Sequence, residues 1–407
     1  MARVGLVTTS YPRFPGDPAG CFVAEHAAFL ARAGHEVEVI AAGSGRTASN
    51  GRPETGSIRV HRVPAAPGLF ERGGAPEALA RGGRVWLSAA RFSLALAGAV
   101  ARRAPAWDAA VAHWLVPSAL AALASAPRLP LLAIAHSGDV HLLRRLHALR
   151  AMGALCARRE VRLSFVSEEL RRLFLDRAPG CAARAQVCSM GIDLARLEAV
   201  RAARTMNIPP AGSTVLFLGR LVPVKGVDVL VRAAVRWRSG ARLVIAGAGP
   251  AEPPLRKLAA LAPPGRIYFA GQLLGAERDR ALAAADIVAL PSVRVEGDRS
   301  EGLPLVALEA MAVRAALVAS SVGGLAELPP AAATLVKPGD VAALATAVDR
   351  LILDRSLASS QIAAQDRLIP SFDWDVVGPR LLPPLPSRRR SNGDYIAHQR
   401  KGFRRTA

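Results

Sequence analysis

Two carboxylates late in the chain, Glu301 and Glu309, enclose seven residues that are mostly apolar. Proline is tolerated in the first turn of a helix because its missing N–H would be unpaired there, so Pro304 predicts a helix from about Leu305. Glu301 then lies at the helix mouth, where backbone N–H groups favour an anion, and Glu309 lies inside the helix. The pattern fits a phosphorylated, hydroxyl-rich ligand such as a sugar nucleotide. An ordinary helix start with acidic neighbours has the same pattern.

Two cations, Arg220 and Lys225, lie beside a second candidate site. A strand is predicted over 214–218 and a helix over 227–237, so both side chains fall at the carboxyl end of the strand. Arginine provides a planar fork of donors and lysine a compact charge, and together they could converge on a diphosphate. A pair of solvated surface cations is the alternative, although only four of the 53 Lys and Arg residues are lysine.

Apolar runs alternate with helical patterns along most of the chain, which predicts strands followed by helices. The first unit is a strand over 4–8, a Pro/Gly-containing loop and a helix over 22–33. This order is typical of the start of a Rossmann-like domain. Gly20 in the loop would let a ligand or a partner domain approach the backbone closely, or it could form a plain turn.

Two histidines follow predicted strands in the first half of the chain. Strands over 108–112 and 129–135 would deliver His113 and His136 to the carboxyl edge of a sheet, with Asp139 just beyond. Ligands bind at that edge in open α/β sheets, so both histidines are candidates for a binding site. Either of them could instead be an internal structural residue.

Length and composition favour a two-domain protein with anionic partners. The chain has 407 residues, 51% of them hydrophobic, and a mean hydropathy of +0.24. Its net charge of +21 favours nucleotide phosphates, nucleic acid or an acidic membrane surface. Four cysteines show neither metal-ligand spacing nor a disulfide framework, and the N-terminus lacks the layout of a signal peptide. The cysteine usage favours a reduced cytosol, so we expect a cytoplasmic protein. No apolar stretch reaches the roughly 18 residues of a spanning helix, so none is predicted.

The segment from Glu301 to Glu309 is similar to the E-x7-E signature of the retaining glycosyltransferases of family 4. Five other segments resemble that family and follow in its order: YPRFP (11–15), GCFVAE (20–25), HWLVP (113–117), GRLVPVKG (219–226) and LPS (290–292). The resemblance reaches about Asp375 and implies the GT-B fold, with two facing Rossmann-like α/β domains and a deep interdomain cleft. Two segments depart from the family: Ser137 follows His136 where glycine is common, and VRAA (313–316) stands where Gly and Pro are usual.

The resemblance implies transfer of a sugar, with retained anomeric configuration, from a nucleotide-diphosphate sugar to a glycan or lipid-linked acceptor. Surface polysaccharide or glycolipid synthesis would be the setting, and no metal or other cofactor is implied. Arg220 and Lys225 would stabilise the leaving diphosphate, and His136 would position the donor sugar. Glu309 would bind ribose hydroxyls and Glu301 sugar hydroxyls. The remaining candidates are the donor-side Gly20, Gly249, Gly302 and Leu303 and the acceptor-side His113 and Asp139.

The resemblance also divides the chain into functional parts. We expect residues 1–200 to bind the acceptor, residues 205–370 to bind the nucleotide sugar, and residues 371–386 to return to the first domain. The basic residues 387–407 are predicted to be disordered.

Two alternatives remain. The altered segment 312–316 is compatible with a non-catalytic relative that binds sugar nucleotides at a weakened donor site. A Rossmann oxidoreductase is the other alternative, but Gly247 and Gly249 are not followed by the third glycine that a dinucleotide fingerprint requires.

Residues 75–105 combine arginines with apolar residues at helical spacing. At about 100° per residue, four arginines fall within a stripe of about 80°: Arg81, Arg84, Arg91 and Arg102. We predict an apolar opposite side that covers the first sheet, formed by Leu79, Val85, Trp86, Leu94, Leu96 and Val100. The arginines could simply be solvated. Alternatively, they contact anionic lipid head groups at the inner face of a membrane, and no nucleic acid is expected as a partner.

Overall fold

The computed structural model describes residues 1–43, 58–66, 69–70, 78–79, 82–203 and 213–385. Within these residues, the first half of the chain forms a parallel sheet of seven strands in the order β3-β2-β1-β4-β5-β6-β7. Its strands are β1 (Arg3–Val7), β2 (Glu36–Gly43), β3 (Ile58–Pro64), β4 (Ala109–His113), β5 (Leu131–Ala135), β6 (Arg162–Phe165) and β7 (Ala185–Val187).

A second parallel sheet of six strands follows, in the order β10-β9-β8-β11-β12-β13. Its strands are β8 (Thr214–Leu218), β9 (Arg242–Ala246), β10 (Ile267–Gly271), β11 (Ile287–Leu290), β12 (Ala316–Ser320) and β13 (Thr334–Val336). Alternate residues of β8 belong to different core clusters, with Leu216 and Leu218 in one and Val215 and Phe217 in the other. The strand is therefore buried on both faces, which explains its continuous apolar run.

Helices connect the strands in both halves of the chain. The first half contains α1 (Cys21–Arg32), α2 (Arg84–Arg103), α3 (Leu120–Ser125), α4 (Ser137–Arg145), α5 (Leu149–Arg158), α6 (Glu168–Leu175) and α7 (Leu194–Ala202). The second contains α8 (Val227–Arg236), α9 (Glu252–Ala259), α10 (Gly275–Ala284), α11 (Leu305–Ala312), α12 (Val341–Leu353), α13 (Arg355–Leu368) and α14 (Trp374–Val377). These elements confirm the predicted architecture of two Rossmann-like α/β domains.

The chain crosses between the two domains more than once. Helix α7 begins before residue 200, in the part predicted to belong to the first domain, yet its Leu197 packs in a core cluster of the second domain. Near the other end, Trp374, Val377 and Leu381 pack in the core of the first domain. Residues 204–212, at the predicted domain boundary, and the predicted disordered tail lie outside the described residues.

Trp374 is the largest side chain at this return to the first domain. It is 2% exposed, its ring stacks on His26 and Phe29 of α1, and its Nε1 donates to the Glu25 carboxylate at 3.1 Å. A Cβ on Gly191 would lie 2.7 Å from the indole ring, so only glycine leaves room for it there. Trp374 thus packs the segment near the end of the described chain against α1.

Helix α2 begins at Arg84, after Gly82 and Gly83, but its apolar residues are not all buried as predicted. Leu96 and Val100 are fully buried, whereas Leu94 is 74% exposed and Trp86 is 37% exposed. A helix against a sheet buries only one stripe, and Leu94 lies about 80° from Arg84 around the helix. The prediction for Leu94 is therefore wrong, because Leu94 shares the outward side with the arginines. Trp86 lies about 160° from Arg84, at the opposite edge of the buried stripe, and is partly exposed there. Arg81 lies outside the described residues.

Candidate active site between the two domains

Lys225 lies in a turn that packs against the residues after β11. This 3-10 turn (Pro223–Lys225) follows β8, and Gly226 after it has a φ of 60°. A Cβ at Gly226 would lie 2.1 Å from the carbonyl oxygen of Pro291, so glycine permits the close approach. The Lys225 ammonium thereby comes within 2.6 Å of the Glu301 carboxylate.

Both oxygens of the Glu301 carboxylate have partners. Oε1 pairs with Lys225 Nζ, and Oε2 accepts a hydrogen bond of 2.5 Å from the Ser292 hydroxyl. The Lys225 and Glu301 side chains are only 12% and 13% exposed, so the ion pair is largely shielded from water. An anionic ligand reaching Lys225 would compete directly with this carboxylate.

The backbone after Glu301 is packed tightly on both sides. A Cβ at Gly323 would lie 2.0 Å from the Glu301 carbonyl oxygen, and one at Gly324 would lie 2.6 Å from the Leu303 nitrogen. On the other side, a Cβ at Gly302 would lie 2.6 Å from a methyl carbon of Val166 in the first domain. The predicted donor loop therefore lies where the two domains touch.

Glu309 lies in a charged cluster with two arginines that the sequence analysis missed. Its carboxylate pairs with the Arg278 guanidinium, and Arg196 Nη2 lies 3.9 Å from its other oxygen. Asp279 binds Arg196 at 2.7 Å. The Glu309 side chain is only 9% exposed, and the cations offset the cost of burying its charge. Burial opposes the charge of Arg278, but Glu309 outweighs it, so the pKa of Arg278 is raised.

The N-terminus of α1 in the first domain faces the Glu309 cluster. Gly20 before this helix has a φ of 72°, and a Cβ there would lie 2.4 Å from the Ser10 carbonyl oxygen. Burial raises the pKa of the Cys21 thiol to about 12, with contributions from Glu25 and Glu309. Burial likewise raises the pKa of Glu25 to about 7, and Glu309 adds to this effect. Helix α1 and Glu309 therefore border the same interdomain space.

Arg220 and Gly249 lie on neighbouring loops at the carboxyl edge of the second sheet. Arg220 follows β8 and is exposed, and Gly249 follows β9. A Cβ at Gly249 would lie 2.3 Å from the Leu221 carbonyl oxygen, so the packing of the two loops accounts for this glycine. Donor binding by Arg220 and Gly249 stays a prediction.

The histidines and Asp139 occupy different depths of the first domain. His136 is half-buried, and the neighbouring Ser137 hydroxyl donates to the carbonyl of Ser300, the residue before Glu301. His113 and Asp139 are 0% and 3% exposed. Their predicted contact with an acceptor stays a prediction, since both lie beneath the surface here.

Asp139 holds the loop after β4. Its Oδ2 accepts from the Leu115 backbone N–H at 2.6 Å, whereas Oδ1 is buried and has no hydrogen-bond partner among the described residues. Burial raises the pKa of Asp139 to about 7.

Polar contacts also join the domains beside Glu301. Arg294 binds the Glu169 carboxylate through two contacts of 3.0 Å, and the Ser300 hydroxyl donates to the same carboxylate at 2.7 Å. Glu327 of the second domain accepts from the backbone N–H groups of Glu168 and Glu169, both at 3.0 Å. These two residues begin α6, so a carboxylate from one domain caps a helix of the other.

The segment 313–316, which departs from the family pattern, directly follows the end of α11. Helix α11 ends at Ala312, and Arg314 adopts a φ of 60°, a conformation that glycine takes at lower cost. The Arg314 guanidinium pairs with Asp366 at 2.9 Å. Glu309 therefore lies inside the helix despite the sequence change, and nothing within the described residues favours the weakened donor site.

Comparison with known proteins identifies both halves of the chain. Residues 19–196 match the family model described as Glycosyltransferase Family 4, and residues 212–354 match the model described as Glycosyl transferases group 1. Among solved structures, sucrose-phosphate synthase from Thermosynechococcus elongatus superposes with a TM-score of 0.72 at 21% identity, covering 94% of this chain and 97% of that one. Anabaena HepE in complex with UDP-glucose superposes with a TM-score of 0.69 at 20% identity, covering 94% and 98%. These likenesses establish the fold.

Proteins similar in sequence show which family the chain belongs to. The chain spans about half the length of the D-inositol 3-phosphate glycosyltransferases it matches. It is 33% identical to the Mycobacterium ulcerans protein over 243 residues, covering 54% of this chain and 49% of that protein. It is 31% identical to the glycogen synthase of Mycobacterium tuberculosis over 405 residues, covering 92% of each protein. The chain belongs to the family 4 glycosyltransferases.

Proposed function

We propose that this protein transfers a sugar from a nucleotide-diphosphate sugar to a glycan or lipid-linked acceptor, with retention of configuration and without a metal. The observation that carries the proposal is the shielded Lys225–Glu301 pair, because Gly302, next to Glu301, packs against Val166 of the first domain. A cation for phosphate and two carboxylates for hydroxyls thus lie along the boundary between the two domains. HepE has been solved in complex with UDP and in complex with UDP-glucose, which supports a nucleotide sugar as donor.

The reaction breaks the bond between the anomeric carbon and the phosphate oxygen, and the electron pair leaves on that oxygen. Lys225 exchanges Glu301 for the diphosphate and, with Arg220, stabilises the growing negative charge. Glu301, released from the lysine, accepts hydrogen bonds from sugar hydroxyls beside the backbone N–H groups of Gly302 and Leu303. The acceptor oxygen attacks the same face of the sugar, and its proton passes to the departing phosphate.

Glu309 and Arg278 would share the nucleotide end of the site. The Glu309 carboxylate is suited to ribose hydroxyls, and Arg278 holds it in place while it is buried. The glycogen synthase relative, matched over 92% of its length, supports a glycan as acceptor.

Release of nucleotide diphosphate from a panel of nucleotide sugars tests this proposal. We expect turnover with at least one donor, and the same rate in EDTA as with added Mg²⁺ or Mn²⁺, because protein cations stabilise the leaving group. Binding of a donor without release of diphosphate would instead support the non-catalytic alternative. Loss of activity in EDTA with recovery on adding metal would contradict the metal-independent mechanism.

A second proposal concerns the outward face of α2, defined by Arg84, Leu87, Arg91, Leu94 and Arg102. All five side chains are exposed, with Leu87 at 54% and Leu94 at 74%. None of the described helices is long and apolar enough to cross a membrane. Apolar side chains flanked by arginines are instead typical of a surface that enters the head-group layer of an anionic bilayer. Such contact would bring the cleft to a lipid-linked acceptor.

Sedimentation with vesicles at low salt tests the α2 face. Wild-type protein should sediment with anionic but not neutral vesicles. Reversal of Arg84, Arg91 and Arg102 to Glu should weaken binding on the order of 100-fold, since each arginine contributes about 1 kcal/mol near such a surface. The matched control reverses Arg350, Arg355 and Arg367, which are exposed on the second domain. If both triple variants lost the same amount of vesicle binding, or if the wild-type protein bound neutral vesicles equally well, α2 would only cover the first sheet.

A further inference from the structure

Three histidines from separate elements form one hydrogen-bonded row through the first domain. His26 Nδ1 lies 3.0 Å from His113 Nε2, and His113 Nδ1 lies 3.2 Å from His136 Nε2. At the buried end, His26 Nε2 lies 3.2 Å from the carbonyl oxygen of Leu381 in the returning segment. His26 belongs to α1, His113 ends β4 and His136 follows β5, so this row runs from the chain's last described residues to the cleft.

The carbonyl at one end dictates where every proton in the row lies. A carbonyl oxygen only accepts, so His26 must carry its hydrogen on Nε2 and offer a lone pair on Nδ1. His113 must then donate from Nε2 and accept at Nδ1, and His136 must donate from Nε2. The arrangement leaves His136 Nδ1 without a hydrogen. This nitrogen makes no protein hydrogen bond within the described residues.

The surroundings keep the three rings uncharged. His26 and His113 are fully buried, and Phe22 contacts both His113 and His136. Burial lowers the pKa of His26 to about 4 and of His136 to about 3, and it lowers the pKa of His113 well below its ordinary value. Neighbouring rings offer no competing acceptor, because the indole of Trp374 stacks on His26 and donates its N–H to Glu25.

We propose that His26 and His113 are positioning residues that hold His136 in its Nε2–H tautomer, so that Nδ1 accepts a hydrogen bond from a hydroxyl of the donor sugar. This rests on the proposed function, in which the space beside Glu301 holds that sugar. The location fits, because Ser137 next to His136 donates to Ser300 next to Glu301. With Nδ1 fixed as an acceptor, His136 favours a donor sugar that has a hydroxyl at this position. A sugar without that hydroxyl would leave His136 Nδ1 without a hydrogen bond.

Nitrogen NMR of the full-length protein labelled with ¹⁵N-histidine tests the tautomers directly. Long-range proton–nitrogen correlations distinguish a ring nitrogen that carries a hydrogen from one that does not. The protein has eight histidines, and His136→Gln assigns the ring in question. We expect neutral Nε2–H rings for His26, His113 and His136 at neutral pH. A hydrogen on His136 Nδ1 would overturn the proposal. Because no donor is present, this outcome is independent of whether the protein turns over a nucleotide sugar.

Two variants of His26 test the positioning role in the active enzyme. His26→Phe keeps a ring to stack on Trp374 but removes the acceptor for His113, so His136 should populate both tautomers. KM for the donor should then rise about tenfold with a smaller change in kcat, while His26→Asn, which keeps an acceptor oxygen, should restore most of the affinity. An unchanged His136 tautomer and KM in folded His26→Phe would overturn the proposal. If that variant does not fold, the wild-type spectrum decides.

Discussion

Replacement of Lys225 by alanine is expected to lower kcat/KM for the nucleotide-sugar donor by about 100-fold or more. That is the scale of losing one preorganised group that stabilises charge in a transition state. Lys225 is suited to this role because its ammonium is shielded from water and already lies 2.6 Å from an anion, the Glu301 carboxylate. Shielding strengthens the interaction with a leaving diphosphate above its value in water.

Steady-state kinetics and thermal unfolding together measure this effect. Lys257→Ala makes the same truncation at an exposed position of α9 and should leave kcat/KM unchanged. Lys225→Arg keeps the charge and should retain more activity than Lys225→Ala. Near-normal kcat/KM in a folded Lys225→Ala protein would remove Lys225 from the proposed mechanism.

Truncation of Trp374 to alanine is expected to cause a large loss of stability. Removing a buried Trp side chain costs about 3 to 5 kcal/mol in free energy of unfolding, from lost burial and the cavity left behind. Trp374 also loses its hydrogen bond to Glu25 and its stacking on His26 and Phe29. The effect should appear in the first domain, although Trp374 follows the second domain in sequence.

Urea unfolding followed by far-UV circular dichroism checks this expectation. Trp86→Ala is the matched control, because the same side chain is 37% exposed on α2. It should change the free energy of unfolding by less than about 1 kcal/mol, as is usual for surface substitutions. If Trp374→Ala lowered the free energy of unfolding as little as Trp86→Ala, the returning segment would contribute little to the stability of the first domain.

The sequence predicts elements well where one local signal decides them. Helix α11 begins at Leu305 as expected, because Pro304 and the apolar run after it agree. The strands were recognisable because burial on both faces makes them continuously apolar. The carboxyl-edge rule likewise predicts that residues after β8 and β11 meet, and Lys225 and Ser292 do meet at Glu301.

The site residues that were missed depend on contacts between distant segments. Arg278 stands in the charged run Glu277-Arg278-Asp279-Arg280, which has the composition of a solvated helix face, yet it binds Glu309. His26 resembles a polar surface residue of α1, but the returning segment covers it. The prediction for Leu94 of α2 is wrong in the opposite direction, because Leu94 was expected to be buried and is exposed. Helical spacing alone does not say which side of a helix faces the sheet. No local pattern marks such pairings before the fold brings the segments together.

Because Glu327 of the second domain caps α6 of the first, the hydrogen bonding at the start of α6 depends on how close the two domains are. Ser167 satisfies the N–H of Leu170 from within the first domain, but the N–H groups of Glu168 and Glu169 depend on the other domain. If the two domains separated, these two amides would lose their carboxylate partner and would exchange hydrogen with water. Substituting an N-cap costs about 0.5 to 2 kcal/mol, so this contact alone would favour the closed arrangement by roughly 2- to 30-fold. Hydrogen exchange at the Glu168 and Glu169 amides would therefore report how often the two domains separate.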